Sequence, residues 1–180
     1  MTALEAIHAR RSIRAYKPNP VDRSILEEVL EAASWAPSWK NSQTVRYVVI
    51  DTPKAKQALL ATNLPPFNRR VIEQAPVVIA MVTNTGISGY LPDGSPNTTL
   101  GAGWQMFDAG IAAQTLCLAA WEKGLGTLIM GLYDEAGTPD VIDLEPGQIV
   151  TALVAMGYAE TQPKGPGRKD TAELYRYLSV

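Results

Sequence analysis

Three arginines and a serine stand within five residues near the start of the chain, in the run Arg10-Arg11-Ser12-Ile13-Arg14. Guanidinium groups grip phosphate oxygens with paired donors, and an adjacent hydroxyl adds a further one. Near the other end, Lys164, Arg168 and Lys169 lie among glycines and prolines, on an arm able to fold back over an anion. The chain holds 16 Lys and Arg against 18 Asp and Glu, a formal net charge of -2. Overall charge therefore gives no attraction to nucleic acid or to an anionic membrane, and any anion site must be local. The first cluster alone also reads as a solvated basic turn. A second basic cluster in an acidic protein favours one shared anion site.

Two other stretches could contribute polar contacts. Ala36-Pro37-Ser38-Trp39-Lys40-Asn41-Ser42-Gln43 leaves a helix and enters a strand, so its backbone amides, hydroxyls and carboxamides could line the edge of a polar heterocycle or simply form a surface loop. Gly124-Leu125-Gly126-Thr127-Leu128-Ile129-Met130-Gly131 superficially resembles a dinucleotide fingerprint. It lacks the third glycine of that motif and runs helix to strand, the reverse order, which argues against a Rossmann site. The single histidine, His8, and the single cysteine, Cys117, leave too few groups for a His-based triad with a choice of bases or for a structural zinc site. Cys117, in an apolar stretch, reads as inert packing and excludes an intrachain disulfide. Difficult chemistry would then belong to a bound cofactor rather than to side chains.

The elements that must position these residues follow from periodicity. Thr2 and Glu5 have capping-box spacing ahead of a short first helix, and the basic cluster begins where that helix ends. Apolar residues from Ile25 to Ala33 repeat at helical spacing, with Ser24 and Glu27 as a second capping-box pair. Strands are expected at 44–51, 77–82, 127–130 and 149–156, and helices at 53–61, 68–74, 104–123 and about 139–144. The stretch 77–82 is apolar on both faces, as a strand covered on both sides should be. The helix at 104–123 is the longest and most apolar, with Gly124 placed for a C-cap. Residues 84–103 have many glycines and no apolar period, which reads as a loop or lid, and 159–168 reads as an extended arm. No linker divides the chain, so 1–180 is read as one α+β domain. No signal-like apolar segment or membrane-length run is evident, and a soluble, cytoplasmic protein is expected.

Order and spacing of these pieces together resemble the FMN-dependent nitroreductase family over nearly the whole length. The resemblance rests on Arg10-Arg11-Ser12-Ile13-Arg14-Ala15-Tyr16, on Ala36-Pro37-Ser38 with Asn41 and Gln43, on Ala75-Pro76-Val77-Val78-Ile79, on 108–120 leading to Gly124-Leu125-Gly126-Thr127, on Pro146-Gly147-Gln148, and on Gly157-Tyr158 before the basic arm. It implies a nitroreductase-like layered fold: a central mixed, mainly antiparallel sheet flanked by helices, in an intertwined homodimer with two cofactor sites at the interface. It further implies that Arg10, Arg11 and Ser12 hold the FMN phosphate, with Arg168 and Lys169 closing from the arm. Arg14 would approach the N1 and C2 carbonyl edge of the flavin, and Asn68 the ring edge or ribityl chain. Pro37, Ser38, Asn41 and Gln43 would reach the flavin from the other subunit, and backbone of Leu128, Ile129, Met130 and Gly131 would lie near its dimethylbenzene or N5 side.

The activity implied is electron transfer from NAD(P)H through FMN to a small nitroaromatic, quinone or similar acceptor, with no partner in nucleic acid or membrane. A specialised flavin oxidase, or a flavin-binding or redox-sensing module, remains open on the same residues. The chain departs from the family pattern where Thr44-Val45 follow Gln43 in place of Pro-Trp, and where Val71 stands in place of a lysine common in longer members. Trp39, inside the loop, is the residue that would shape the pocket over the flavin instead.

Overall fold

The computed structural model describes residues 2–178. Four strands, β1 (Val45–Ile50), β2 (Val77–Asn84), β3 (Gly126–Met130) and β4 (Gln148–Gly157), form one sheet in the order β1-β2-β4-β3. All three strand pairings are antiparallel. The parallel part of the expected mixed sheet is a single bridge, Ser12 to Thr127, by which the basic segment lies along the edge of β3.

The central pair β2–β4 is covered on both faces, and side chains alternate between two cores with the two-residue period of a strand. Val78, Ala80 and Val82 face one core, packed with Leu59, Leu64 and Ile72. Val77, Ile79 and Met81 face the other, with Leu26, Val29, Ala112 and Leu116. The first core lies under α3 (Pro53–Ala61), α4 (Pro66–Gln74) and α6 (Gly137–Val141), and the second under α2 (Arg23–Ser34) and α5 (Gly103–Glu122). The result is the expected α+β arrangement, a sheet between two helical layers. An irregularity between Met81 and Val82 leaves Thr151 without a Cα partner, and its hydroxyl donates to the Met81 carbonyl at 3.1 Å. This bulge resets the alternation so that Val150 points into the first core.

Caps fix the helix ends. Thr2 and Glu5 form the expected capping box on α1 (Ala3–Ala9). At the end of α5, Gly124 has φ +76°, its N–H donates to the Trp121 carbonyl at 3.0 Å, and Leu125 N–H donates to Ala120 at 2.8 Å. These two bonds are those of a Schellman motif, whose left-handed position favours glycine. Elsewhere the expectations shift. Ser24 lies inside α2, which begins after Asp22, and Glu27 accepts from Arg23 at 3.2 Å instead of closing a capping box with Ser24. Helix α4 begins at Pro66 rather than 68, because proline fits a first turn whose N–H has no partner. Helix α6 begins two residues earlier than expected and ends at Val141. Residues 85–102 form the expected loop between β2 and α5, which carries an isolated Tyr90–Pro96 bridge. Among the described residues, no helix is long and apolar enough to cross a membrane.

One close approach places the basic segment. Ile13 is fully buried, its N–H donates to the Thr127 carbonyl at 2.9 Å, and a Cβ added at Gly126 would collide with its Cγ1. Tyr16 tightens the same segment, its hydroxyl donating toward the Ile13 carbonyl at 2.9 Å and the Ala155 carbonyl at 3.1 Å. Gly126→Ala is expected to lower unfolding free energy by about 1–3 kcal/mol, the usual range for overpacking. Urea denaturation measures this, and a wild-type midpoint would show that the Ile13 contact yields freely.

Candidate cofactor site

The N-terminal basic segment and the C-terminal arm meet. Arg10, Arg11, Ser12, Arg14, Pro163, Lys164, Pro166 and Arg168 line one cleft of about 410 Å³. The arm lies directly on a guanidinium: a Cβ at Gly165 would stand 2.7 Å from Arg11 Nε and 3.0 Å from its Cζ. Arg11 is braced by carbonyls, donating from Nη1 to His8 at 2.6 Å and to Arg10 at 2.9 Å. Arg14 is exposed and donates to the Ser12 carbonyl at 3.2 Å. Lys169 is absent from the lining of this cleft, and Lys164, also noted in the sequence, is present.

Two observations bear on what the cleft could hold. The Nε–H of Arg10 is buried and has no hydrogen-bond partner. Neither of the ion pairs Arg23–Glu27 and Lys123–Glu28 involves a cation of this cleft, and no Asp or Glu is among the residues that line it. Five basic side chains with an orphaned donor and no acid form a site that fits a phosphate group.

The loop at 36–43 belongs to a different cleft of the same chain. Pro37, Ser38 and Gln43 line a cavity of about 260 Å³ with Thr44, Arg46, Tyr47, Asp108 and α2 side chains. No residue is shared between the two linings. Burial, with a smaller contribution from Cys117, pushes the Tyr47 hydroxyl up to about 12, so it stays a proton donor at neutral pH. Asn41 lines neither cleft, and Lys40, Asn41 and Gln43 have φ of +46°, +56° and +47°. Left-handed backbone costs roughly 1–2 kcal/mol per non-glycine residue, so this loop must be held by its surroundings.

Asn68 is buried on α4 and donates from Nδ2 to the Leu132 carbonyl at 2.6 Å, tying α4 to the turn after β3. Leu128 and Met130 turn their side chains into the core, so that part of the strand offers its backbone, whereas Ile129 and Gly131 are exposed. Val71 is buried in the first core and faces no cleft. A lysine there would have to bury its charge, which accounts for the apolar residue.

One residue not singled out from sequence is Asp108, 2% exposed on α5. It accepts from Trp39 N–H at 3.0 and 3.1 Å, from Ser88 Oγ at 2.7 Å and from Ser42 Oγ at 3.4 Å. A signal for it existed: Asp108 is the only charged residue between Gly103 and Trp121.

Residues 7–158 match the Nitroreductase family. The chain belongs to that family. It is 30% identical over 181 residues to an NADH dehydrogenase of Thermus thermophilus, covering 88% of this chain and 87% of the relative. It is also 30% identical over 141 residues to an FMN reductase [NAD(P)H] of Bacillus subtilis, covering 71% of this chain and 53% of that longer protein. A Desulfovibrio desulfuricans protein crystallised in complex with FMN superposes with a TM-score of 0.77 at 27% identity, covering 98% of this chain and 96% of that one.

Cys117 gives a check on packing around the site. Burial pushes its thiol up, opposed by a hydrogen bond from Thr127 and the charge of Arg10. A higher thiol pKa means less thiolate at pH 8, so the native protein should react with a disulfide reagent at least about tenfold more slowly than the urea-unfolded chain. Equal rates would show that the core between α5 and β3 opens readily.

Proposed function

We propose that this chain is an FMN-dependent oxidoreductase, passing electrons from NAD(P)H to a nitroaromatic, quinone or similar small acceptor. The observation that carries the reading is the acid-free basic cleft with the unpartnered Arg10 Nε. The family membership and the FMN held by the Desulfovibrio relative support it. FMN, when bound, supplies the two-electron chemistry by accepting hydride equivalents from the nicotinamide and returning them to the acceptor.

The chain's residues hold, orient and tune. Arg10, Arg11 and Ser12 grip the phosphate, and Arg168 and Lys164 close on it from the arm, with Lys169 available just beyond. Arg14, bound within the chain through one Nη1 contact, directs its remaining donors to the N1 and C2 carbonyl edge. A fixed cation there favours reduction, because negative charge gathers on that edge. Asn68 holds the turn beside Leu128, Ile129, Met130 and Gly131, whose backbone faces the far side of the ring. No side chain is required as a general acid.

The functional unit in this reading is a homodimer of one FMN-binding domain per chain, 1–180. Pro37, Ser38, Asn41 and Gln43 reach the cofactor of the partner, consistent with the lack of shared lining between the two clefts within one chain. A shallow apolar patch on α5, from Met106 and Phe107 past Gly110 to Thr115, provides surface for the second copy. Met106 is 44% and Phe107 57% exposed, large apolar groups that a partner would cover. A single buried cysteine suits the reducing cytoplasm, where we place the protein.

The first test is the visible spectrum of purified protein, followed anaerobically with NADH and then NADPH. A flavin spectrum that bleaches with either supports the proposal; a colourless protein that takes up no added FMN overturns it. Arg14→Ala should weaken FMN binding about tenfold and move its midpoint potential negative, as loss of a charge-assisted contact requires. Unchanged affinity and potential would remove Arg14 from this role. Gly110→Glu, placing charge on the apolar α5 patch, should yield monomers in sedimentation and lower FMN affinity, whereas a stable dimer would put the interface elsewhere.

A further inference from the structure

Residues 85–102 and the 38–43 loop are fastened to each other through α5. Ser88, fully buried, donates to Asp108 Oδ2, which also accepts from Trp39 N–H and Ser42 Oγ on the other side. Gln105 Oε1 accepts from Gly86 N–H at 2.6 Å, and Trp104 Nε1 donates to Thr98 Oγ1 at 2.8 Å. Trp104 then packs against Trp39, with ring centroids 4.4 Å apart and planes inclined by 50°.

Only an acceptor suits the position of Asp108. An ionised carboxylate carries no hydrogen and takes several donors at once. The Trp39 backbone N–H cannot reverse its direction, and it arrives from the loop that holds three left-handed residues, Lys40, Asn41 and Gln43. Within the loop, Ser38 Oγ accepts from Gln43 N–H at 2.9 Å, which closes the turn but does not anchor it to a helix. Asp108 supplies that anchor, and through Ser88 the same carboxylate grips the neighbouring excursion.

We propose that Asp108 is a positioning residue that couples the 38–43 loop to the 85–102 segment, the lid of the sequence reading, so that local opening of the segment and the loop's cofactor-facing geometry depend on each other. The inference rests on the FMN reading for the identity of what the loop faces. It concerns this chain's own hydrogen bonds for the coupling. With the loop held by cofactor, Asp108 stays in place and the lid stays shut; with the lid contact removed, occupancy of the loop no longer reaches the lid.

The test compares wild type, Ser88→Ala and Asp108→Asn by chymotryptic cleavage at Tyr90 and Leu100, mapped by mass spectrometry, with and without FMN. Local opening, rather than global unfolding, governs such cuts when the fold is intact, and urea midpoints check that it is. In the wild type FMN should slow lid cleavage about fivefold. Ser88→Ala should speed cleavage of the apo protein about fivefold and abolish protection by FMN, while FMN affinity stays within about threefold, since one neutral partner to the carboxylate is lost. Asp108→Asn should speed cleavage and also weaken FMN about tenfold, because a hydrogen-bearing amide faces donors of the loop.

Wild-type lid cleavage in both variants overturns the coupling. So does FMN protection that survives in Ser88→Ala, or wild-type FMN affinity in Asp108→Asn. If Asp108→Asn fails to fold, Ser88→Ala alone decides. A wild-type chain that binds no FMN overturns the cofactor reading, whereas the apo cleavage rates still decide whether Asp108 and Ser88 fasten the lid.

Discussion

The antiparallel pairing of β2 with β4, buried on both faces, is the constraint on which the other elements depend. Backbone N–H and C=O groups in such a place have no access to water and must pair within the sheet. That requirement puts β1 and β3 on the outside and makes both helical layers necessary, since each face of the pair is apolar. The bulge at Thr151 is the one break in the ladder, and its hydroxyl bonds to the Met81 carbonyl across the ladder. The long helix α5 follows from the same demand: an Ala-rich surface lets it lie close against the second core.

The basic cleft is a consequence of how the edge of that sheet is finished. An exposed edge strand leaves unpaired backbone groups. Here the chain before Tyr16 adds one bridge to β3, and the fit of Ile13 against Gly126 fixes which residues come next to it. The arginines flanking Ile13 are thereby held outside the core, and the arm returning from β4 brings Lys164 and Arg168 over them. Like charges gathered without an acid repel one another, a cost that an anionic ligand removes. Stability of the apo protein and affinity for a phosphate are thus opposed at the same residues.

Asp108 shows a second compromise. Burying a carboxylate without a cation is costly unless its oxygens are hydrogen-bonded. The Trp39 amide and the two serine hydroxyls meet that need, and in doing so they fix a loop whose own backbone preferences are unfavourable. Trp39 packs tilted against Trp104, and Trp104 lies edge-on to Phe107 at 5.5 Å. The tryptophan within the loop thereby packs against the start of α5.

Much of this was legible in the order of residues. Hydrophobic period gave β2 its two-sided burial and α5 its length, and the glycine at 124 marked the helix end, because these depend on local geometry and on apolar area alone. The two basic clusters pointed to a shared site, since unlike signs were missing from both, and the structure brings them into one cleft. The helix starts at Ser24 and at 68 were misplaced, because capping spacing and a proline pair each admit more than one frame. The loop at 85–102 is legible as a loop from its glycines, but its fastening to α5 through Gln105, Asp108 and Trp104 is not, since no periodic pattern marks those contacts. Sequence by itself determined the element types, the family and the kind of ligand the arginines suit, all of which rest on composition and short-range pattern. Only the tertiary structure decided that Lys164 rather than Lys169 lines the cleft, that Val71 lies in the core, and that Asp108 joins two loops. Those outcomes depend on contacts between segments far apart in the chain, 69 residues for Trp39 and Asp108 and more than twice that for Arg10 and Lys164, and no local preference encodes them.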